Sequence, residues 1–259
     1  MEQLRPLLGT TLALVAHPDD EVIACGALMQ KMQRAVVVFA TDGAPRNEGF
    51  WKTYGSRQAY ADVRRREAWH ALRIVGACPV FLADRVEDGI ADQELFRNLP
   101  AAISALEQVI ADVAPDALLT LAYEGGHPDH DAVCFMAAVT GRRAVIPVWE
   151  SPLYHRNADG SSALQRFPTP TGTELELRCE WALLQKKIQM FHTYKSQALV
   201  LDDFRPDLES FRPLADYNFT RPPLPWELNY ERWMWGMTGK EVSAAFSDYL
   251  RNVQDGIGR

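Results

Sequence analysis

What this 259-residue chain has little of narrows its function before any motif is read. No apolar run approaches the ~20 residues that a membrane span needs. There is no Lys/Arg-rich block, and the net charge is -7. Duplex nucleic acid is therefore excluded as an expected partner, because that binding neutralises phosphates with a basic face. No G-x-G-x-x-G follows the first strand-like segment, so dinucleotide binding has little support. The four cysteines, Cys25, Cys78, Cys134 and Cys179, form no CxxC pair and sit in or beside apolar segments. They read as buried free thiols in a reducing compartment, with the cytoplasm as the default location, although an even count leaves a disulfide open. Internal repeats and low-complexity tracts are missing too. Histidine is scarce: the chain has six, and half of them fall in two short stretches.

What is present is an ordinary globular composition, 47% hydrophobic and 24% charged, long enough for one large α/β domain with a buried core. Arg5 followed by the apolar Leu7–Ala16 has the outline of a short signal peptide. Cleavage after Ala16 would strip away the strand that should hold His17, the n-region is weak, and no stop-transfer pattern follows. A β-strand is the better reading.

Short β-rich runs alternate with segments of helical period, the pattern of a mostly parallel, Rossmann-like sheet with helices on both faces. Strands are expected at Thr11–Ala16, Ala35–Ala40, Pro79–Ala83, Asp116–Ala122 and Ala144–Trp149. Helices are expected at Glu21–Gln33, Arg57–Val75, Gln93–Val113, Asp129–Thr140, Glu180–Tyr194 and from Lys240 to about Val253. Pro147 hints at an edge or bulge position for the fifth strand. Residues 156–172 read as an exposed loop, and 197–225 as an irregular Pro-rich tail. The expected division is a main domain over residues 1–200 and a C-terminal extension over 201–259, packed on the same domain. Its aromatics could line a pocket, cover the core or make a homo-oligomer contact.

The tripeptide His-Pro-Asp occurs twice, as His17-Pro18-Asp19 and His127-Pro128-Asp129, each where an apolar strand gives way to a helix. Helix capping explains part of this. Pro suits the first helical position and acidic residues complement the helix dipole, so Pro18-Asp19-Asp20-Glu21 is a good helix start without any function. It explains neither histidine, nor the repetition. If the two strands are parallel neighbours, their carboxyl ends share the edge where ligands collect in open α/β sheets. His17, Asp20 and His130 can then supply three protein ligands to one Zn2+ per chain with a position left open, and Fe2+ or Co2+ suits the same donors. Asp19, next to a ligand but pointing elsewhere, is the candidate general base. His127 is placed to stabilise an oxyanion or protonate a leaving group. Asp129 could orient a histidine from behind, as metal-bound imidazoles usually require.

Ala16-His17-Pro18-Asp19-Asp20-Glu21, with Gly125-Gly126-His127-Pro128-Asp129-His130 about a hundred residues later, resembles the PIG-L or LmbE-like zinc-dependent N-deacetylases. Thr41-Asp42-Gly43, Arg64 with Glu67, and Lys195-Ser196-Gln197 extend the resemblance over roughly residues 10–200. It implies a Rossmann-like domain that removes acetyl groups from N-acetylated sugars or glycoconjugates. In that reading zinc is held at the positions of His17, Asp20 and His130, the base is Asp19, and the transition-state histidine is His127. Substrate contacts are expected from Arg64, Asp42, Gly43 and Asp129, although Arg64 could equally be a solvated charge in the run Arg64-Arg65-Arg66. His70 and His192 read as surface or packed residues, and Tyr154 with His155 could border the pocket. A different scissile bond at the same metal, or a non-catalytic sugar or nucleotide binder on the same fold, are the alternatives.

Overall fold

The computed structural model describes residues 2–257. Strands β1 (Thr10–Val15), β2 (Arg34–Phe39), β3 (Cys78–Phe81), β4 (Ala117–Leu121) and β5 (Val148–Ser151) alternate with helices α1 (Asp20–Cys25), α2 (Arg57–Val75), α3 (Leu99–Val113) and α4 (Pro128–Ala144). A small hairpin, β6 (Tyr154–Arg156) with β7 (Ser162–Leu164), follows. Then come β8 (Leu175–Arg178), α5 (Trp181–Thr193), α6 (Ala198–Leu201), β9 (Leu208–Pro213), α7 (Asn229–Arg232) and α8 (Gly239–Ile257).

The main sheet has the order β3-β2-β1-β4-β5-β9-β8. Pairings among β1 to β5 are parallel, while β9 runs antiparallel to both β5 and β8. The parallel strands are buried on both faces and correspondingly apolar, as in β4, where all five residues are buried. Helices α1, α2 and α5 pack together, as do α3, α4 and α8, giving the two covering layers of a mixed α/β single domain.

Local signals set α2 exactly where its periodicity predicts. Ser56 Oγ accepts the N–H of Ala59 at 3.1 Å, and Gly76 closes the helix at φ 75°. Two other helices are shorter than expected. Helix α1 stops at Cys25 instead of reaching Gln33, because the N–H groups of Ala27 and Leu28 donate to the Glu209 carboxylate at 2.6 and 3.0 Å. Helix α3 begins at Leu99 and not at Gln93: Gln93 takes φ 71°, outside the right-handed helical region, and the N–H groups of Gln93 and Leu95 fasten this segment to Asp129 at 2.6 and 3.0 Å. At α1 a carboxylate distant in sequence has taken the amides that a longer helix would use.

The strand expected at Ala144–Trp149 also moves. Helix α4 runs through Ala144 and Val145 caps it at φ 56°, so β5 starts only at Val148. Pro147 lies outside the strand, and β5 is interior, between β4 and β9. The tail expected to be irregular supplies β9, whose first five residues are buried. Within the loop expected over residues 156–172 lies β7. Of the cysteines, Cys25 and Cys134 are buried, but Cys78 is exposed and Cys179 half-buried; all four are free thiols. Among the described residues no helix is long and apolar enough to cross a membrane.

Candidate metal and catalytic site

Strands β1 and β4 are hydrogen-bonded neighbours, with Thr11 opposite Ala117 and Ala13 opposite Leu119. Their carboxyl ends therefore deliver the two His-Pro-Asp turns to one place. His17, Asp19, Asp20, His127 and His130 all line a cavity of about 620 Å³. The glycines before the second motif make this approach feasible: a Cβ on Gly126 would lie 2.0 Å from the carbonyl oxygen of Tyr154. Gly125, at φ 70°, would meet Leu228 at 2.6 Å.

Asp20 links two of the imidazoles. Its Oδ2 accepts the backbone N–H of His17 at 2.7 Å and stands 3.3 Å from His17 Nδ1, while Oδ1 stands 3.3 Å from His130 Nε2. The charges of His130 and His17 hold the Asp20 carboxyl well below the usual carboxylate range despite its burial. Burial alone would lower the pKa of His17, but the carboxylates of Asp92, Asp20 and Asp129 outweigh it and raise it. On its far side, His17 Nε2 lies 3.2 Å from Asp129 Oδ2.

Asp19 is buried, and Arg64 Nη2 donates to its Oδ1 at 2.9 Å. Burial pushes the Asp19 carboxyl up to about 7, with Arg64 opposing the shift. His127 Nδ1 accepts the N–H of Asp129 at 3.1 Å, which leaves the proton of the neutral ring on Nε2, 3.2 Å from Asp92 Oδ1. Burial and the neighbouring His17 lower the His127 pKa, so the neutral form is favoured.

The donor set fits a divalent ion of the zinc type. Nitrogens of His17, His127 and His130 lie within 4.8 Å of one another, as do donors from His17, Asp92, His127 and Asp129. Neither ring nitrogen of buried His130 makes a hydrogen bond, and Asp92 Oδ1 is also without one. An imidazole buried with both nitrogens unpartnered is costly unless something else takes up its lone pair, and imidazole with carboxylate is a zinc, iron or cobalt ligand set.

Other expected site residues are placed differently. Asp129 is fully buried behind the site, fastening Gln93 and Leu95 as well as facing His17; it does not line the cavity. Asp42 does not line it either, pairing instead with Arg57 at 2.6 Å. Gly43, at φ 67°, packs under the first motif, where a Cβ would lie 2.8 Å from Pro18; its carbonyl accepts from Arg64 at 3.0 Å. Arg64 is buried and lines the cavity, so the solvated-charge reading is wrong for it. His70 and His192 are exposed, and Tyr154 but not His155 faces the cavity.

Sequence reasoning missed Asp92, which stands beside both His17 and His127. The available signal was its place just beyond β3, on the carboxyl edge where the two motifs also end. Of the uses left open for the tail aromatics, Trp233 and Trp235 take the first: both line the cavity, and the Trp235 ring centroid is 4.9 Å from that of His127.

The family model described as PIG-L, GlcNAc-PI de-N-acetylase, matches residues 12–140, the stretch that carries both His-Pro-Asp turns. The chain belongs to this PIG-L/LmbE-like family. No curated protein matches it in sequence. Among solved structures, the A40926 pseudoaglycone deacetylase Dbv21 superposes with a TM-score of 0.61 at 21% identity, covering 81% of this chain and 98% of its own. A zinc-inhibited form of the teicoplanin deacetylase Orf2 gives 0.59 at 15% identity, covering 81% and 100%. The N,N'-diacetylchitobiose deacetylase from Pyrococcus horikoshii gives 0.54 at 16% identity, covering 82% and 85%. At these identities the likeness is one of fold.

Proposed function

We propose that this protein is a zinc-dependent hydrolase that removes an acetyl group from an N-acetylated amino sugar or glycoconjugate. The observation that carries the reading is the meeting of His17, Asp20 and His130 with Asp19 and His127 at the floor of one cavity. The deacetylases among its structural relatives and the family match support it.

An ion held by His17, Asp20 and His130 would supply Lewis-acid polarisation of the amide carbonyl and lower the pKa of water. Asp19 provides the base. It is held by Arg64 at 2.9 Å, and at about 7 its pKa suits both taking a proton from water and returning one to the departing amine. His127 acts as the neutral hydrogen-bond donor. With Nδ1 occupied by the Asp129 N–H, its Nε2–H is the group available to a developing oxyanion. Asp129 orients His17 and holds the 93–95 segment against the site.

The test is acetate release from a panel of N-acetylated sugars and glycoconjugates, with metal content measured on the same preparation. Release that stops on chelation and returns with zinc supports the reading. One bound metal with no acetate from any compound moves it to another scissile bond, and turnover unaffected by chelation ends the metal assignment.

A further inference from the structure

Asp19 is the residue before α1, a position where aspartate ordinarily takes an extended backbone and caps the helix with its side chain. It does neither. Its φ is 129°, and its carboxylate makes no capping bond to the helix. The side chain turns to Arg64 instead, at 2.9 Å, which leaves it in the cavity and available as a base. A turn that does not cap itself has to be held by another group.

Glu21 is that group. Its Oε2 accepts the Asp19 N–H at 3.1 Å, one half of a capping box whose reciprocal half is missing, and its Oε1 accepts the hydroxyl of Tyr194 at 2.5 Å. A favourable charge at a helix start needs no burial, yet Glu21 is 0% exposed, and taking a carboxylate out of water is costly unless hydrogen bonds replace the water. Tyr194 is equally buried and closes α5, 173 positions further along the chain. The residues that follow it grip α2. Ser196 donates its N–H and its hydroxyl to Glu67 at 3.0 and 2.5 Å, and Gln197 donates its side-chain amide to the Tyr60 hydroxyl at 2.7 Å. Glu67 and Tyr60 stand about one turn either side of Arg64. Residues 194–197 therefore hold the amide of Asp19 through Glu21, and the helix that carries its cation through Glu67 and Tyr60. The chemistry proposed above uses none of these residues.

Resting on the deacetylase reading above, we infer that Glu21, braced by Tyr194, is a positioning residue for the base: it imposes the positive-φ backbone of Asp19 and so keeps that carboxylate in the cavity and off the helix end.

The experiment has two arms. In the first, Glu21→Met, Glu21→Gln and Tyr194→Phe are compared with the parent in zinc content and in kcat and KM on methyl N-acetyl-β-glucosaminide. A misplacement of about 1 Å can cost about 10²-fold in rate, so Glu21→Met should lose at least about tenfold in kcat while KM moves less than about threefold and zinc stays bound. Glutamine has the same shape, can take the Asp19 N–H on its oxygen and can turn its amide nitrogen to the Tyr194 oxygen, so Glu21→Gln should recover all but about threefold of kcat. Tyr194→Phe, which removes one hydroxyl from the core, should lie between the two. A loss carried by KM, zinc lost together with rate, or a glutamine variant as slow as the methionine one overturns the inference.

The second arm needs no turnover. Asp19→Gly and Asp19→Ala both keep the N–H that Glu21 holds, and only alanine suffers at positive φ, so the glycine protein should have the higher urea midpoint while Glu21 is present. In the Glu21→Met background residue 19 can relax, and that gap should close. Equal midpoints with Glu21 in place, or a gap that survives its removal, overturn the inference. If the glycoside is not hydrolysed and the gap closes, the deacetylase reading loses its support while the positioning of Asp19 by Glu21 stands.

Discussion

Arg64 and Asp19 form a buried ion pair in which one guanidinium nitrogen, Nη2, reaches both Asp19 Oδ1 at 2.9 Å and the carbonyl oxygen of Pro18 at 2.6 Å. The cation thus holds both the candidate base and the turn that presents it. It also opposes the burial that raises the Asp19 pKa.

Replacing Arg64 with Met should therefore shift the pH dependence of turnover. The base works when deprotonated, and without the cation Asp19 gives up its proton only at higher pH. The acidic limb of kcat/KM should move upward, and a limb that stays put or moves down would remove Arg64 from this role.

Asp19→Asn and His130→Ala should separate chemistry from metal binding. The first keeps the size of the side chain and loses the base, so zinc should remain at one per chain while turnover falls by roughly 10²–10⁴. The second removes an imidazole from the proposed ligand set, so bound zinc should be lost together with activity. Metal analysis and rate on the same samples decide, and a fully active Asp19→Asn protein would end the base assignment.

Asp19 also bears backbone strain, with φ 129° and ψ -25° at the entrance to α1. Such a conformation in a non-glycine residue costs of order 1–3 kcal/mol. Asp19→Gly and Asp19→Ala both remove the partner of Arg64, so the difference between them reports on the backbone. The glycine variant should be more stable by about 1 kcal/mol in urea denaturation, even after glycine's larger entropy loss. Equal midpoints would mean that the turn is unstrained.

Lys187 and Glu209 are fully buried and 2.8 Å apart. Lys187 also donates to the carbonyl of Ile23 at 3.2 Å, so the pair clamps the end of α1. Lys187→Met should cost about 3–5 kcal/mol, since it leaves a buried carboxylate with only the Ala27 and Leu28 amides. Denaturant unfolding of this variant beside an exposed control such as Lys186→Met checks the figure, and a loss below about 1 kcal/mol would put the pair in the surface class.

The α/β class, the parallel strands and the convergence of the two His-Pro-Asp turns were legible because each rests on local pattern: apolar runs for buried strands, and a repeated tripeptide at strand ends. What was illegible depended on partners far away in sequence. Strand β9 contains Glu209 and Arg212, both buried, and a buried strand with two charges does not look like one until Lys187 and Glu150 are seen beside them at 2.8 and 2.6 Å. The early ends of α1 and α3 escaped because their margins are held by carboxylates far away in sequence, Glu209 at Ala27 and Asp129 at Gln93. Asp92 carried no motif of its own, and only the fold sets it against His17 and His127.

The grip of Glu209 on the end of α1 spans 182 positions of the chain. During synthesis, all five groups proposed for metal binding and proton transfer leave the ribosome by His130, while the carboxylate that fastens their first helix and the indole of Trp235 beside His127 emerge much later. Capture of the proposed metal in its final setting would therefore wait until synthesis has passed Glu209 and Trp235. A nascent or prematurely terminated product would display the histidines and carboxylates without the scaffold that turns them into a site.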